Sequence, residues 1–319
     1  MNSKLILIFL LFSSYNYAQT CCSGGIPLSN NIGLPTLSKG SFQIGINYDY
    51  NNLNTLKFGK EKLDDNSRLR ITHSALLNVN YSILNNLSVE GLFTYVNQRR
   101  KITQFGNENL DQTSGIGDAV FLTMYRFQLK KIQNLEFNIG IGVKVPLGST
   151  TEKSDEGIVL NADLQPGSNT WDVIYLMSMG KSFNFRPSFQ VGGRILYRAT
   201  GVNNSYYGNT TYKFGNEFLS FLSFSDVFVA FKTLVSPSLS LKYRKAVKDE
   251  LDGFFINNTG GNFVSLIPNL DIDITPNIIF STKAELPIIS NVDGTQLAPT
   301  YRITTGILLK LESKPVIFN

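Results

Sequence analysis

The feature that most constrains this chain is a train of long segments in which apolar and polar residues alternate. In Leu135–Val145 every odd-numbered residue is apolar, and the even-numbered ones are Glu, Asn, Gly, Gly and Lys. A period of two is that of a β-strand with two different faces. Most of the predicted strands have ten or more residues, against roughly five or six in soluble proteins, and can cross an outer membrane when tilted. They are predicted at 40–50, 67–81, 87–97, 114–128, 135–146, 170–181, 186–199, 212–231, 238–247, 262–272, 277–288 and 299–311.

The connections between these twelve segments alternate in length. Longer polar loops are predicted near 51–66, 98–113, 147–169, 200–211, 248–261 and 289–298. Short turns are predicted near Ser82–Asn86, Leu129–Asn134, Ser182–Phe185, Lys232–Pro237 and Asp273–Pro276. This alternation is typical of an up-and-down membrane barrel with periplasmic turns and external loops, and a Greek-key sandwich would not produce it. We therefore predict an all-β, transmembrane antiparallel up-and-down barrel of about 12 strands over 40–312, with both termini in the periplasm.

In such a barrel the apolar face of each strand meets lipid and the polar face lines the lumen. Ten tyrosine and tryptophan side chains, Trp171 among them, fall mostly near predicted strand ends, as in the aromatic girdles of outer-membrane proteins, although strand propensity also enriches these residues. Two places fit poorly. His73 falls on the lipid face, and the strand around Val120–Tyr125 is apolar on both faces.

The N-terminus indicates export. Residues 1–18 contain Lys4, an apolar run from Leu5 to Phe12, and Ala18 before a cleavage site, which is the pattern of a secretory signal peptide. Eight apolar residues are too few to span a membrane. A lipoprotein is less favoured, because Thr20 precedes the first cysteine. We expect the mature protein in the outer membrane of a Gram-negative bacterium, in contact with lipid and inserted with the help of periplasmic chaperones and the barrel-assembly machinery.

Residues 19–39 form a periplasmic N-terminal segment rich in Gly, Pro, Ser and Asn. It is either a disordered tether or a plug folded into the lumen, and its apolar residues favour the plug. The candidate plug residues include Cys21, Cys22, Ile26 and Pro27. Adjacent cysteines rarely form a disulfide, and two thiolates do not complete a metal site. Residues 313–319 are a short C-terminal tail.

Charge and composition exclude several functions. The net charge of +5 is too weak and too dispersed for a nucleic-acid partner, and the mean hydropathy of −0.03 excludes a bundle of membrane helices. His73 is the single histidine, and no serine lies two residues from it on the same strand face, so a serine–histidine hydrolase is not expected. The run Gly115–Asp118 precedes a strand, whereas a phosphate loop precedes a helix. We expect no catalytic residues, no metal and no cofactor.

The lumen is the best candidate site. The alternation places nine basic and six acidic side chains on the inward faces, where they either brace the wall as ion pairs or form a selectivity surface. Arginines clustered toward the external end would favour anions through their local field: Arg68, Arg70, Arg198, Arg244 and Arg302. The other inward residues put forward as pore-lining are Glu90, Asp118, Lys144, Asp172, Arg194 and Lys242, with Glu217, Asp271, Lys283 and Glu285 beside them.

Several motifs, in order, carry a family resemblance: Ser114–Asp118, Val143–Gly148, Gln165–Ser168 before Trp171 and Asp172, Leu286–Pro287, and Tyr301–Arg302. The chain resembles the outer-membrane transporter-like barrels of the MetA-pathway of phenol degradation family, distant relatives of the long-chain fatty-acid transporter barrels. The resemblance spans roughly 40–311. It implies a channel for passive or facilitated passage of small hydrophobic or aromatic molecules. Twelve strands rather than fourteen, and no long helical N-terminal hatch, set this chain apart from the fatty-acid transporters. The alternative is a non-conducting structural or surface-binding barrel.

Overall fold

The computed structural model describes residues 32–128 and 134–312. Twelve strands, each antiparallel to its neighbours in sequence, form one sheet that closes where β1 pairs with β12, from Phe42↔Leu311 to Asn52↔Tyr301. The predicted all-β barrel is confirmed. The strands are β1 Phe42–Leu53, β2 Arg68–Leu84, β3 Leu87–Gln104, β4 Ala119–Gln128, β5 Leu135–Val145, β6 Asp172–Phe183, β7 Arg186–Ala199, β8 Glu217–Ser225, β9 Thr233–Ala246, β10 Gly261–Thr275, β11 Ile278–Val292 and β12 Tyr301–Leu311.

The pleat of these strands sorts side chains by chemistry. In β1 the outward positions carry Phe42, Ile46 and Tyr48, which are exposed, and the inward positions carry Gln43 and Asp49, which are fully buried. The same parity leaves large apolar side chains exposed all round the wall, from Phe93 on β3 to Tyr175 on β6 and Ile307 on β12. Water would make such an exterior costly, and lipid makes it favourable. Within the described residues no helix is long and apolar enough to span a membrane.

The longer connections lie together at one end of the barrel, called here the loop end; the short turns lie at the turn end. At the loop end Asn107–Ile116 continues the wall by pairing with β3. Thr55–Phe58, Glu61–Lys62 and Thr295–Ala298 form a three-stranded sheet. A four-stranded sheet, called the mouth sheet, contains Asn203–Tyr206, Thr210–Lys213, Glu250–Leu251 and Phe254–Phe255. The 3₁₀ turn Ala162–Leu164 lies between β5 and β6.

Several strand bounds differ from the sequence predictions. The predicted strand 114–128 is divided at Gly117 and Asp118, so that 114–116 belong to Asn107–Ile116 and β4 begins at Ala119. The predicted strand 212–231 is broken into Thr210–Lys213, β8 and Phe228–Ala230. One break falls around Gly215, where the carbonyl oxygen of Val247 comes so close that a Cβ would lie 1.8 Å from it and only glycine fits. The predicted turn Lys232–Pro237 is wrong, since β9 already begins at Thr233 and the reversal is made by Phe231 and Lys232, both with positive φ.

The predicted loop 98–113 is also wrong. β3 runs to Gln104 and returns at Asn107 through a two-residue turn at Phe105 and Gly106, both with positive φ, as in the hairpin turns that match the twist of paired strands. The alternation of inward and outward side chains continues through this hairpin, and Arg100 on one strand is directly opposite Asp111 on the other. The polar composition of the hairpin hid its strand character.

Candidate functional site in the barrel lumen

A chain of buried ion pairs runs along the inner face of the wall near the loop end. Lys144 Nζ on β5 lies 2.9 Å from Asp118 Oδ2, just before β4, and 3.2 Å from Asp172 Oδ2 on β6. Arg198 Nε on β7 lies 3.9 Å from the same Asp172 oxygen, and Arg198 Nη2 lies 3.0 Å from Glu217 Oε2 on β8. Each side chain comes from the strand after the last, because the alternation points one residue per strand inward at this level.

The chain continues around the wall through the remaining strands. Arg244 on β9 pairs with Glu217. Lys242 Nζ, two residues away on β9, lies 2.8 Å from Glu285 Oε1 on β11. Arg302 Nε on β12 lies 2.8 Å from Asp49 Oδ2 on β1. Burying charges is costly unless each is paired. Here the pairs involve residues of eight strands of the closed sheet, β1, β5–β9, β11 and β12.

The 3₁₀ turn Ala162–Leu164 lies buried inside the mouth of the barrel. Arg70 Nη1 on β2 donates to Asp163 Oδ2 at 2.8 Å, and a second Arg70 nitrogen donates to Gln98 on β3. Thr113 Oγ1 donates to the carbonyl oxygen of Leu164 at 2.6 Å. The loop between β5 and β6, residues 146–171, is therefore hydrogen-bonded to the inner wall and narrows the passage at the loop end. It is called here the constricting loop.

Three of the motifs that carry the family resemblance meet at one point. Asp118 accepts hydrogen bonds from the backbone N–H of Gly148 at 3.1 Å, the backbone N–H of Ser168 at 3.1 Å and Ser168 Oγ at 2.6 Å. Gly148 and Gly167 pack backbone to backbone, and a Cβ on either would come within 2.6 Å of the other. The glycines and the aspartate therefore fasten the constricting loop to the start of β4.

The N-terminal segment enters the lumen from the turn end. Glu90 Oε2 on β3 accepts the backbone N–H groups of Gly33 and Leu34, each at 2.9 Å, and Glu90 Oε1 accepts Asn78 Nδ2 at 3.0 Å. Arg194 Nη1 on β7 donates to the carbonyl oxygen of Ile32 at 3.0 Å. Wall residues from opposite sides thus hold the same three-residue stretch. Cys21, Cys22, Ile26 and Pro27 lie outside the described residues.

An apolar cluster fills one side of the lumen, contrary to the expectation of a polar interior. It explains why β4 is apolar on both faces: Phe121 and Tyr125 are exposed outward, whereas Val120, Leu122 and Met124 pack inward. Ile32 of the N-terminal segment, 3% exposed, packs into this cluster. The cluster contains Ile32, Leu76, Leu92, Val120, Leu122, Met124, Ile174, Leu176, Leu196, Leu219, Phe221 and Ile267.

A polar cavity of about 460 Å³ lies toward the turn end. Residues of β5–β11 form its wall, and serines and asparagines dominate the lining. Arg194 and Lys283 are its basic residues, and Glu136 and Asp271 are its acidic residues. The lumen therefore has an apolar part packed against the N-terminal segment and a polar part beside it.

The predicted pore-lining residues lie on the inward face of the wall. Eight of the eleven are in the ion pairs and hydrogen bonds just described around Arg70, Asp118, Arg198, Lys242 and Arg302. Glu90 and Arg194 instead hold the N-terminal segment. Arg68 lies half-buried on the same face of β2, at the rim near Asp65.

Sequence reasoning missed two acidic partners of the arginine cluster. Asp49 faces inward and binds Arg302 and Thr304, and its place in the alternation of β1 was a signal for it. Asp163 pairs with Arg70 from a loop that has no periodic pattern, so no sequence signal marked it. The positive charge expected at the mouth is thus offset by carboxylates. Among the described residues no group of His, Cys, Asp and Glu could hold a metal ion.

His73 lies on the outer surface of the barrel, and aromatic neighbours account for a residue that fitted the lipid face poorly. Its Nδ1 lies 2.6 Å from Tyr48 Oη on β1, and its ring meets the Tyr50 ring edge-on at 5.3 Å between centroids. Tyr50 in turn contacts Tyr301 on β12. The histidine therefore belongs to an aromatic patch near the loop end, in the position of a girdle, where amphipathic rings suit the membrane interface.

A half-buried carboxylate, Asp249, lies beside the mouth sheet just before Glu250, outside the spanning strands. Asp249 accepts Tyr212 Oη at 2.7 Å and the backbone N–H of Gly215 at 2.7 Å. Burial outweighs these hydrogen bonds and raises the pKa of Asp249 to about 6, with the nearby Asp163 carboxylate acting in the same direction. Burial likewise raises the pKa of the Tyr206 hydroxyl, which accepts the backbone N–H of Ala162. The mouth sheet is thus hydrogen-bonded to the constricting loop.

Comparison with known proteins supports the fold. No protein-family model matches the sequence, and no curated protein matches it either. An outer membrane channel from Pseudomonas putida F1 is similar in structure, with a TM-score of 0.68 and 14% identity over 90% of this chain and 100% of that one. The transport unit of the autotransporter AIDA-I from Escherichia coli has a TM-score of 0.49, 11% identity, and coverage of 90% and 95%. The likeness to the Pseudomonas channel concerns the fold, a closed antiparallel β-barrel, which the strand pattern predicted.

Proposed function

We propose that this protein is an outer-membrane channel for small molecules and that residues 32–40 are part of a plug within its lumen. The observation that carries the proposal is a closed barrel with a lipid-compatible exterior whose interior is occupied by a chain segment and a loop. Side-chain hydrogen bonds attach both to the wall, and neither is a strand of it. Such elements can move without opening the sheet. A barrel with a purely structural role has no need of them.

The solutes that pass should be small. A twelve-stranded barrel encloses less space than the 16–18-stranded porins that leave a free aqueous channel. Here the ion pairs, the constricting loop and the N-terminal segment occupy much of that space. Movement of Ile32 and the N-terminal segment would uncover the buried apolar cluster for hydrophobic or aromatic molecules, which agrees with the family resemblance. The arginines at the mouth are paired with carboxylates. This pairing supports a role in bracing the wall better than a role as a selectivity surface for anions.

The proposal extends to orientation and processing. The loop end faces the outside of the cell, the turn end and the N-terminal segment face the periplasm, and the signal peptide is cleaved after Ala18. A chain that is exported through the periplasm and inserted into the outer membrane is expected to contact lipid, periplasmic chaperones and the barrel-assembly machinery.

Solute flux into liposomes tests the proposal. The full mature chain should admit small solutes slowly, and a chain lacking residues 19–39 should admit them faster. Glu90→Gln should lie between the two, because it weakens two charge-assisted hydrogen bonds, each contributing roughly 1.5–3 kcal/mol. Glu61→Gln, an exposed loop residue, is the matched control. Absence of flux through all of these proteins would favour the non-conducting surface-binding barrel.

A further inference from the structure

The polar cavity has a continuous hydroxyl and amide wall. Ser223 Oγ and Ser240 Oγ are 2.7 Å apart across β8 and β9. Asn269 Nδ2 on β10 donates to Ser238 Oγ at 3.3 Å, and Ser281 Oγ on β11 donates to Asn269 Oδ1 at 3.3 Å. These contacts line up across four neighbouring strands. A wall of this kind can donate to or accept from a polar solute without the desolvation cost that an apolar wall would impose.

Two basic side chains reach this cavity from strands on different sides of it. Arg194 belongs to β7, and its guanidinium carbon lies 4.3 Å from the centre of the Phe221 ring. Lys283 belongs to β11. Arg194 Nη1 also donates to the carbonyl oxygen of Ile32, so the guanidinium contacts both the N-terminal segment and this cavity. Phe221 and Ile267 add apolar surface beside the two cations. Charge donors and an apolar platform therefore share one cavity.

We propose that this cavity is a binding subsite for a small organic monoanion, a carboxylate on a compact apolar or aromatic body. A guanidinium fork matches a carboxylate in geometry, and the ammonium of Lys283 adds a second donor of the same charge. Glu136 and Asp271 also line the cavity, so its formal charge is balanced and a multiply charged phosphate is disfavoured. The volume of about 460 Å³ suits a solute of this size. The inference rests on the proposed channel function and names the class of solute that pauses there.

Ligand-observed NMR with the full mature chain in detergent micelles tests the subsite, with benzoate as the probe. Benzyl alcohol supplies the same ring without the charge, and acetate supplies the charge without the ring. We expect saturable benzoate binding, and at least about tenfold weaker binding of either comparator, which lacks one class of contact. Lys283→Gln should weaken benzoate binding about tenfold. Lys232→Gln removes the same charge from an exposed turn-end position and should leave binding unchanged.

Equal binding of benzoate and benzyl alcohol to the wild-type protein would overturn the subsite without any variant. If Lys283→Gln folds poorly, as judged by heat-modified gel migration, Lys283→Arg should retain binding and decides the same point. The measurement does not depend on conduction. Benzoate binding without flux in liposomes would contradict the channel function and leave the subsite standing; flux without benzoate binding would do the reverse.

Discussion

At the scale of single residues, the buried charges of the lumen are organised by the strand pleat and by one aspartate in particular. Asp118 receives an ammonium, two backbone N–H groups and a hydroxyl from three different segments. Buried ion pairs contribute little net stability. Removing one partner is nevertheless destabilising, because the other charge is left buried and unpaired, away from water. Residues such as Lys144 are therefore sensitive to the loss of their neighbours.

Asp118→Asn should destabilise the barrel and loosen the constricting loop. The change leaves Lys144 buried with one fewer carboxylate, a loss of the order of 3–5 kcal/mol for a broken buried pair. The midpoint of the heat-induced shift in gel migration should fall, and protease should cut within 147–169 faster. Asp155→Asn removes an exposed carboxylate from the same loop and is the control. An unchanged midpoint for Asp118→Asn would remove this residue from its fastening role.

At the scale of elements, the loops at the mouth form a layer with its own hydrogen bonds. The mouth sheet contacts the constricting loop through Tyr206, and Asp249 holds Tyr212 and Gly215 within the sheet. This layer was invisible to the strand-pattern argument, because its strands have two to four residues and show too few alternations to be recognised. The barrel strands have nine or more residues each, with inward and outward positions alternating, and were recognisable for that reason.

The mouth sheet should become less stable as pH rises through about 6. Burial raises the pKa of Asp249 from its ordinary value of 3.8 to about 6, so the folded sheet binds a proton more tightly than the unfolded loop. The stabilisation is full below pH 4 and is lost as pH rises past 6. Protease cleavage within 247–260 should be up to about tenfold slower at pH 5 than at pH 7.5 after solvent screening. Asp249→Asn should flatten this difference; a persistent difference would assign it to another group.

At the scale of the whole molecule, the barrel could be predicted from the sequence, but the segments and side chains that occupy its lumen could not. Alternation predicted the strands, the closure and the outward aromatic residues, because lipid and lumen impose opposite chemistry on alternate positions. It could not predict the apolar part of the lumen around Ile174 and Leu196, since an inward apolar residue packs against a chain segment distant in sequence. The path of 32–40 and the Arg70–Asp163 pair follow from tertiary packing alone.

The orientation of the whole barrel is testable on intact cells. In a background with Cys21→Ser and Cys22→Ser, Asp155→Cys at the loop end should react with a membrane-impermeant thiol reagent. Asn184→Cys at the turn end should react only after the cells are broken. Both positions are exposed, so access to the outside decides the result. Labelling of the turn-end cysteine on intact cells would reverse the orientation.

If the N-terminal segment gates the lumen, fixing it to the wall should close the channel. A reversible crosslink between the segment and β3 tests this most directly. Thr36 Oγ1 and Ser88 Oγ lie 2.9 Å apart, so Thr36→Cys with Ser88→Cys, in the same cysteine-free background, can form a disulfide between segment and wall. Single-channel current should show openings in the reduced protein, lose them on oxidation and regain them with reductant. Openings of the same size and frequency in the oxidised protein would contradict the claim.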